Sequence, residues 1–129
     1  MTPYSLSVPP FESDPDNPEP SSEIVLAISQ RLHEITAMAA TQNSSQILGC
    51  ESIHLHCTDV HGEWMLAADE TGALAVTHEH GKGTVAIRGR ASDLLALVRG
   101  QFTLAGGAER FEVFGTATVW ESMAEVLRT

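Results

Sequence analysis

The stretch that decides the fold is residues 52–88, SIHLHCTDVHGEWMLAADETGALAVTHEHGKGTVAIR. It contains four short segments of alternating or β-branched character, at 52–58, 63–68, 73–79 and 84–88. Polar runs that end in Gly62 and Gly72 separate the first three segments, which is typical of short hairpin connections. The sequence therefore predicts four consecutive strands arranged as a meander.

Helical periodicity precedes these strands. From Ser21 or Ser22 onward, apolar residues recur on one side of a helix, and the polar run 41–45 ends the pattern. The opposite face carries Ser29 and other polar residues, so we expect one side to pack and the other to face water. The predicted packing stripe is Ile24, Ile28, Leu32, Ile35 and Ala39.

After Gly89 a short helix is predicted, with Ser92 or Asp93 as its cap and Gly100 as its stop. Residues 111–114 then form a fifth strand that Gly115 ends, and the run 118–121 has the Thr-x-x-Glu pattern of a capping box for a last helix. This order predicts an α+β fold, a five-stranded, mostly antiparallel sheet with its helices on one face.

Composition sets the domain division. The chain has 129 residues and a formal charge of −10, which disfavours nucleic acid and anionic membrane surfaces as partners. All six prolines and four acidic residues fall in the first twenty positions, with no basic residue. We therefore expect a disordered acidic tail over 1–20 and one domain over 21–129.

No leader pattern or long apolar window is visible, and two cysteines are too few for a disulfide framework, so a cytoplasmic protein without membrane insertion is expected.

Histidines provide the most suggestive chemistry. His54 and His56 alternate on the first predicted strand and so project from the same face, where two imidazoles could share one metal ion. They are weak metal candidates, because further ligands would have to come from His61 in the turn or from His78 and His80, which are expected to share a face of the third strand. The alternative is that these rings form hydrogen bonds or line an organic-ligand cleft without metal.

Other residues are interpreted as follows. Arg88 could hold a carboxylate with its two-pronged guanidinium, or form a surface ion pair with Glu112. Trp64 is expected in the core or as a cleft wall, as is Trp120. Cys57 alternates onto the apolar face, where a thiol is inert. No catalytic residue is predicted, and the predicted ligand-binding set is His54, His56, Trp64, His78 and Arg88.

Three sequence blocks, HLHCTDVHGEWML (54–66), EHGKGTVAIRGRASDLLALVRG (79–100) and FEVFGTATVWESM (111–123), together with the element order, resemble one known family. The resemblance is to the C-terminal domain of mycothiol-dependent maleylpyruvate isomerase family proteins, a domain similar to sterol carrier protein domains. It implies a sterol-carrier-like fold, an actinobacterial source and mycothiol as a cofactor. In that family the metal ligands belong to an N-terminal helical bundle, for which residues 1–20 and one helix are no substitute.

These observations leave three functional hypotheses. The preferred one is a non-enzymatic domain that binds a lipid or another small apolar or acidic ligand in an apolar cleft between sheet and helices. The alternative is a cofactor-cleft subunit that completes a mycothiol-dependent, metal-assisted enzyme by docking onto a separate helical-bundle protein. The third is a structural domain that forms a homodimer through a sheet edge.

Overall fold

The computed structural model describes residues 20–41 and 48–125. Its helices are α1 (Pro20–Thr41), α2 (Ala91–Val98) and α3 (Thr118–Ala124), with a 3₁₀ turn at Ala108–Arg110. Its strands are β1 (Ile53–Cys57), β2 (Glu63–Ala68), β3 (Leu74–Thr77), β4 (Val85–Gly89) and β5 (Phe111–Gly115). The predicted α+β class is confirmed. The tail predicted over 1–20 lies outside the described residues, except that Pro20 begins α1.

The sheet has the strand order β3-β2-β1-β4-β5, and only the first three strands form the predicted meander. β4 does not follow β3 as a hairpin; it crosses to the other side of β1 and pairs with it in parallel. The other three pairings are antiparallel, so the sheet is mixed. The crossing makes β1 the central strand and β4 an inner strand, where Val85 and Ile87 pair with Ile53 and Leu55 and all four are fully buried. Apolar burial therefore explains the placement that the turn pattern did not predict.

The helices cover one face of the sheet. Four residues of the predicted α1 stripe are fully buried, and Ile24 packs against this core at the helix start. Ser29 differs from the prediction, because its hydroxyl accepts a 2.9 Å hydrogen bond from Trp64 Nε1. Arg31 Nε donates to the carbonyl of Val98 at 3.0 Å, which ties α1 to the end of α2.

Both predicted helix caps are wrong. α2 begins at Ala91, one residue before Ser92, and its first N–H donates to Asp59 Oδ1 at 2.9 Å. An acceptor from the β1–β2 turn thus replaces the local cap that the sequence suggested. At α3, Thr118 is already helical and no side chain forms a capping hydrogen bond. The glycine stops hold: Gly100 and Gly115 both have positive φ, 73° and 93°.

Candidate functional site

The face of the sheet opposite the helices, called the outer face below, carries the candidate site. Strand register places His54 beside Ala86 and His56 beside Arg88, with Glu63 across from His56. Side chains alternate along a strand, so residues in register share a face. The outer face consists of His54, His56, Glu63, Met65, Ala67, Ala75, Thr77, Ala86, Arg88, Glu112 and Phe114.

Three histidines converge there on one carboxylate. His54 Nε2 and His80 Nδ1 both lie 2.8 Å from Glu63 Oε2, and His56 Nδ1 lies 3.6 Å from the same oxygen. We call these four residues the His–Glu cluster. His54 is 7% exposed and is the buried polar side chain of the described core, whereas the His80 side chain is 79% exposed. The predicted shared face of His54 and His56 is thus observed, and His80 joins it from the β3–β4 connection.

The cluster favours a charged carboxylate. Hydrogen bonds from His54 and then His80 hold the pKa of Glu63 below its ordinary range, although partial burial acts in the opposite direction. A ring N–H of His54 and one of His80 each donate to the shared oxygen. Glu63 therefore stays ionised and presents a negative charge between the imidazoles.

A cleft of about 540 Å³ adjoins the cluster. Its lining includes an apolar side chain and a cation. Phe114 is 54% exposed, which is unusual for a large apolar residue, and Lys82 is exposed. The lining residues are His54, His80, Gly81, Lys82, Gly83, Thr84, Ala86, Phe114 and Gly115.

The glycine-rich connection 81–83 lies directly against the sheet. A Cβ on Gly83 would stand 2.7 Å from the Val85 carbonyl oxygen and 2.8 Å from the backbone nitrogen of His54. A Cβ on Gly81 would lie 3.0 Å from the side chain of Met65. At Gly83 these distances to backbone atoms leave no room for a side chain, and at Gly81 the Met65 side chain would have to shift. The two glycines therefore allow the connection to cross the outer face and to bring His80 and Lys82 to the cleft.

Two predicted site residues lie on the other side of the sheet. Trp64 is buried against α1, and His78 stacks on it with ring centroids 5.3 Å apart and planes 11° apart. β3 ends at Thr77, so His78 and His80 do not share a strand face as predicted. Residue 78 continues the register opposite Trp64 and so lies on the side of Trp64, whereas the chain leaves the strand after Thr77 and carries His80 to the outer face. The structure also places His61 in the exposed β1–β2 turn rather than in the cluster.

Arg88 is on the outer face, but its guanidinium Nη1 lies 3.5 Å from Glu112 Oε1, the ion pair that the sequence suggested as one alternative. It lines a second cleft of about 420 Å³ with Arg90 and Arg110. Both of those arginines also have an acidic partner. Arg90 Nε lies 4.0 Å from Asp59 Oδ2, and Arg110 Nη1 lies 3.2 Å from Asp93 Oδ1. The positive charges of this second cleft are therefore largely compensated. A ligand role for Arg88 stays a prediction.

A cavity of about 60 Å³ lies between α2, the segment that follows α2, and α3, where Leu97, Phe102 and Trp120 line it. Large side chains such as Trp64 and Met123 are buried in the core. A ligand cleft between the sheet and the helices stays a prediction. Burial, and secondarily the charge of Asp59, raise the pKa of Cys57 to about 11, so we expect this thiol to be unreactive.

The predicted ligand-binding set did not include Glu63, His80, Ala86 or Phe114, although His80 was one of the candidate further metal ligands. Glu63 could have been predicted from the sequence, because a turn at 59–62 brings the first residue of β2 opposite the end of β1. The position of His80 depends on the crossing of the β3–β4 connection, and no local pattern in the sequence indicates that crossing.

No protein-family model matches this sequence, and no curated protein does either. Solved structures are similar in fold. The sterol carrier protein domain 2 of Helicoverpa armigera has a TM-score of 0.60 at 14% identity, covering 79% of this chain and 86% of that one. Sterol carrier protein 2 like 2 from Aedes aegypti has a TM-score of 0.53 at 17% identity, covering 80% and 98%.

A larger protein also contains a similar unit. The stereoselective inverting sec-alkylsulfatase Pisa1 from Pseudomonas sp. has a TM-score of 0.53 at 13% identity over 64% of this chain. The matched part covers only 14% of the length of that enzyme. Within residues 20–41 and 48–125, no helix has both the length and the apolar character needed to cross a bilayer. The shared architecture establishes that this chain has the α+β fold of sterol carrier protein 2 domains.

Proposed function

We propose that this chain is a non-enzymatic small-molecule-binding domain of the sterol-carrier type, and that it takes its ligand in the outer-face cleft. The observation that carries this proposal is the combination of about 540 Å³ of space with the exposed Phe114 ring. Small-molecule sites fall in the range of roughly 300–1,000 Å³ and are mostly apolar with a few polar groups. The cavity of about 60 Å³ between α2 and α3 falls far below that range.

The lining indicates an amphipathic anion. Ala86 and Phe114 offer an apolar floor, and Lys82 offers an ammonium group that forms no ion pair with the described residues. A carboxylate close to Lys82 would gain a charge-assisted hydrogen bond while its apolar body covers Phe114. A medium-chain fatty acid has both parts, which makes decanoate a suitable probe.

The test is calorimetric titration of decanoate in buffer containing EDTA. If the ligand covers about half of the exposed Phe114 surface, roughly 50 Å² at about 25 cal/mol per Å² gives about 1.3 kcal/mol, close to a tenfold change in affinity. Phe114→Ala should therefore weaken binding about tenfold. Leu26→Ala is the matched control, because Leu26 on α1 is 61% exposed and belongs to no part of the cleft.

A second pair of variants tests whether Lys82 binds the carboxylate of the ligand. Lys82→Met should weaken decanoate binding, whereas Arg99→Met removes an exposed cation at the end of α2 and should have no effect. Arg88→Lys is expected to change little, because Arg88 is already paired with Glu112. Absence of binding to the wild type, or equal losses in variant and control, would contradict the proposal.

The enzyme-subunit hypothesis has one parallel, that a similar unit forms a small part of the longer alkylsulfatase chain. The predicted helical-bundle partner, homodimer and mycothiol cofactor stay predictions. We expect the purified chain to show no isomerisation of maleylpyruvate with mycothiol and Zn²⁺. Turnover that a chelator abolishes would favour the enzyme-subunit hypothesis instead.

A further inference from the structure

We infer that His54, Glu63 and His80 form a binding site for a divalent transition-metal ion of the Zn²⁺ type. Their ligand atoms, one from each side chain, all lie within 4.8 Å of one another. Zn²⁺ accepts imidazole nitrogen and carboxylate oxygen at about 2.0–2.2 Å, and two histidines with one glutamate are a known ligand set for it. This inference does not depend on ligand binding in the neighbouring cleft.

The geometry needs little adjustment to accept an ion. Both imidazole nitrogens now approach Glu63 Oε2 at 2.8 Å through hydrogen bonds. Ligands at about 2.1 Å from a tetrahedral ion stand roughly 3.4 Å apart. The nitrogens would therefore move away from the oxygen by about half an ångström, and each ring would carry its proton on its other nitrogen.

Elements of different stiffness supply the ligands. His54 and Glu63 lie on adjacent strands with fixed register, and His54 is almost fully buried. His80 belongs to the β3–β4 connection and is largely exposed, so it can adjust its distance to the ion. His56 Nδ1, 3.6 Å from the shared oxygen, is the nearest candidate for a fourth ligand.

Electrostatics also favour a cation at this point. Glu63 supplies a carboxylate between the two imidazoles, and the chain as a whole carries a formal charge of −10. Neutral imidazole and carboxylate ligands suit late first-row ions rather than Mg²⁺ or Ca²⁺, which prefer oxygen. Selectivity for Zn²⁺ over Mg²⁺ is therefore part of the inference.

The experiment uses the untagged chain, stripped with EDTA and then titrated with ZnCl₂ by calorimetry. We expect one Zn²⁺ per chain and no heat with MgCl₂. His80→Ala should lose at least tenfold in affinity, because even the hydrogen-bond partners of metal ligands contribute about 10–100-fold. This variant removes an exposed side chain, so its effect is not explained by loss of the fold. Glu63→Gln should weaken binding in the same direction.

Two controls remove other Zn²⁺-binding groups. His33→Ala deletes an exposed histidine on α1, and Cys50→Ser deletes the exposed thiol; neither should alter the affinity or the stoichiometry. Long-range ¹H–¹⁵N spectra of the Zn²⁺ form should show coordination by Nε2 of His54 and Nδ1 of His80. The inference is wrong if the wild type does not bind, if His80→Ala binds equally well, or if either control removes the site.

Discussion

Removing the Glu63 carboxylate should destabilise the protein more than removing any exposed carboxylate on the same face. Glu63 accepts the Nε2–H of His54, a side chain that water scarcely reaches because it is 7% exposed. A buried donor left without its acceptor costs about 1–3 kcal/mol, and bonds to charged groups lie towards the upper end. The second bond, from the exposed His80, adds little. We therefore expect Glu63→Ala to lower the free energy of unfolding by about 2 kcal/mol.

Glu112→Ala is the matched control for that variant. Glu112 also lies within a strand on the outer face, so both substitutions have the same intrinsic strand cost, but its partner Arg88 is exposed. Its loss should cost no more than about 0.5 kcal/mol. Glu63→Gln keeps an oxygen acceptor for His54 and should fall between the two variants.

Urea unfolding in EDTA, followed by tryptophan fluorescence, measures these differences. A loss of about 2 kcal/mol corresponds to a decrease in Tm of about 8 °C for a domain of this size. Equal losses for Glu63→Ala and Glu112→Ala, or a loss below about 0.5 kcal/mol for Glu63→Ala, would refute the reasoning. The cluster would then be a solvated surface group with no structural role.

Three further predictions follow from single contacts. Asp59→Ala should destabilise the chain by about 1 kcal/mol in urea, the usual value of a lost helix cap, whereas Asp59→Asn keeps the acceptor for the Ala91 N–H and should lose less; identical losses would argue against the hydrogen bond. With Ellman's reagent at pH 8, Cys50 should react rapidly and Cys57 only after denaturation, because burial raises the pKa of Cys57 to about 11; two rapid thiols would contradict this. Hydrogen bonds from the hydroxyl and N–H of Thr71 lower the pKa of Asp69, so its stabilisation is present above the ordinary aspartate pKa and lost as the pH falls through the lowered folded value. The difference in Tm between wild type and Asp69→Ala should therefore close in acid, and a difference that persists there would show another cause.

The sequence predicted well those features that depend on local periodicity. The α1 stripe and the segments that form the five strands follow from repeating apolar positions, each of which is a property of neighbouring residues. The alternation of His54 and His56 against Leu55 and Cys57 follows in the same way. These features need no knowledge of what lies across the sheet.

Features set by distant parts of the chain were not predicted. The α2 N-terminus is satisfied by Asp59, thirty-two positions away from Ala91, so a search for a cap among adjacent residues could not find it. The predicted ligand set placed Trp64 with His54, but the register pairs Trp64 with Leu55, so Trp64 faces the side of the sheet opposite to His54. Glu63 was predictable from the hairpin register, whereas His80 was not.

The crossing of β4 is what creates the candidate site. In a simple meander, the connection 78–84 would form a turn at the sheet edge, and His80 would remain beside β3 and away from β1. Because β4 pairs with β1 instead, this connection has to pass over β2, where Gly81 lies against Met65, and reach Ser52, to whose carbonyl oxygen the N–H of Thr84 donates. That path brings His80 into hydrogen-bonding distance of Glu63 and places Lys82 in the lining of the cleft. One choice of strand order, driven by the burial of Val85 and Ile87, thus produces both the His–Glu cluster and the wall of the adjoining cleft.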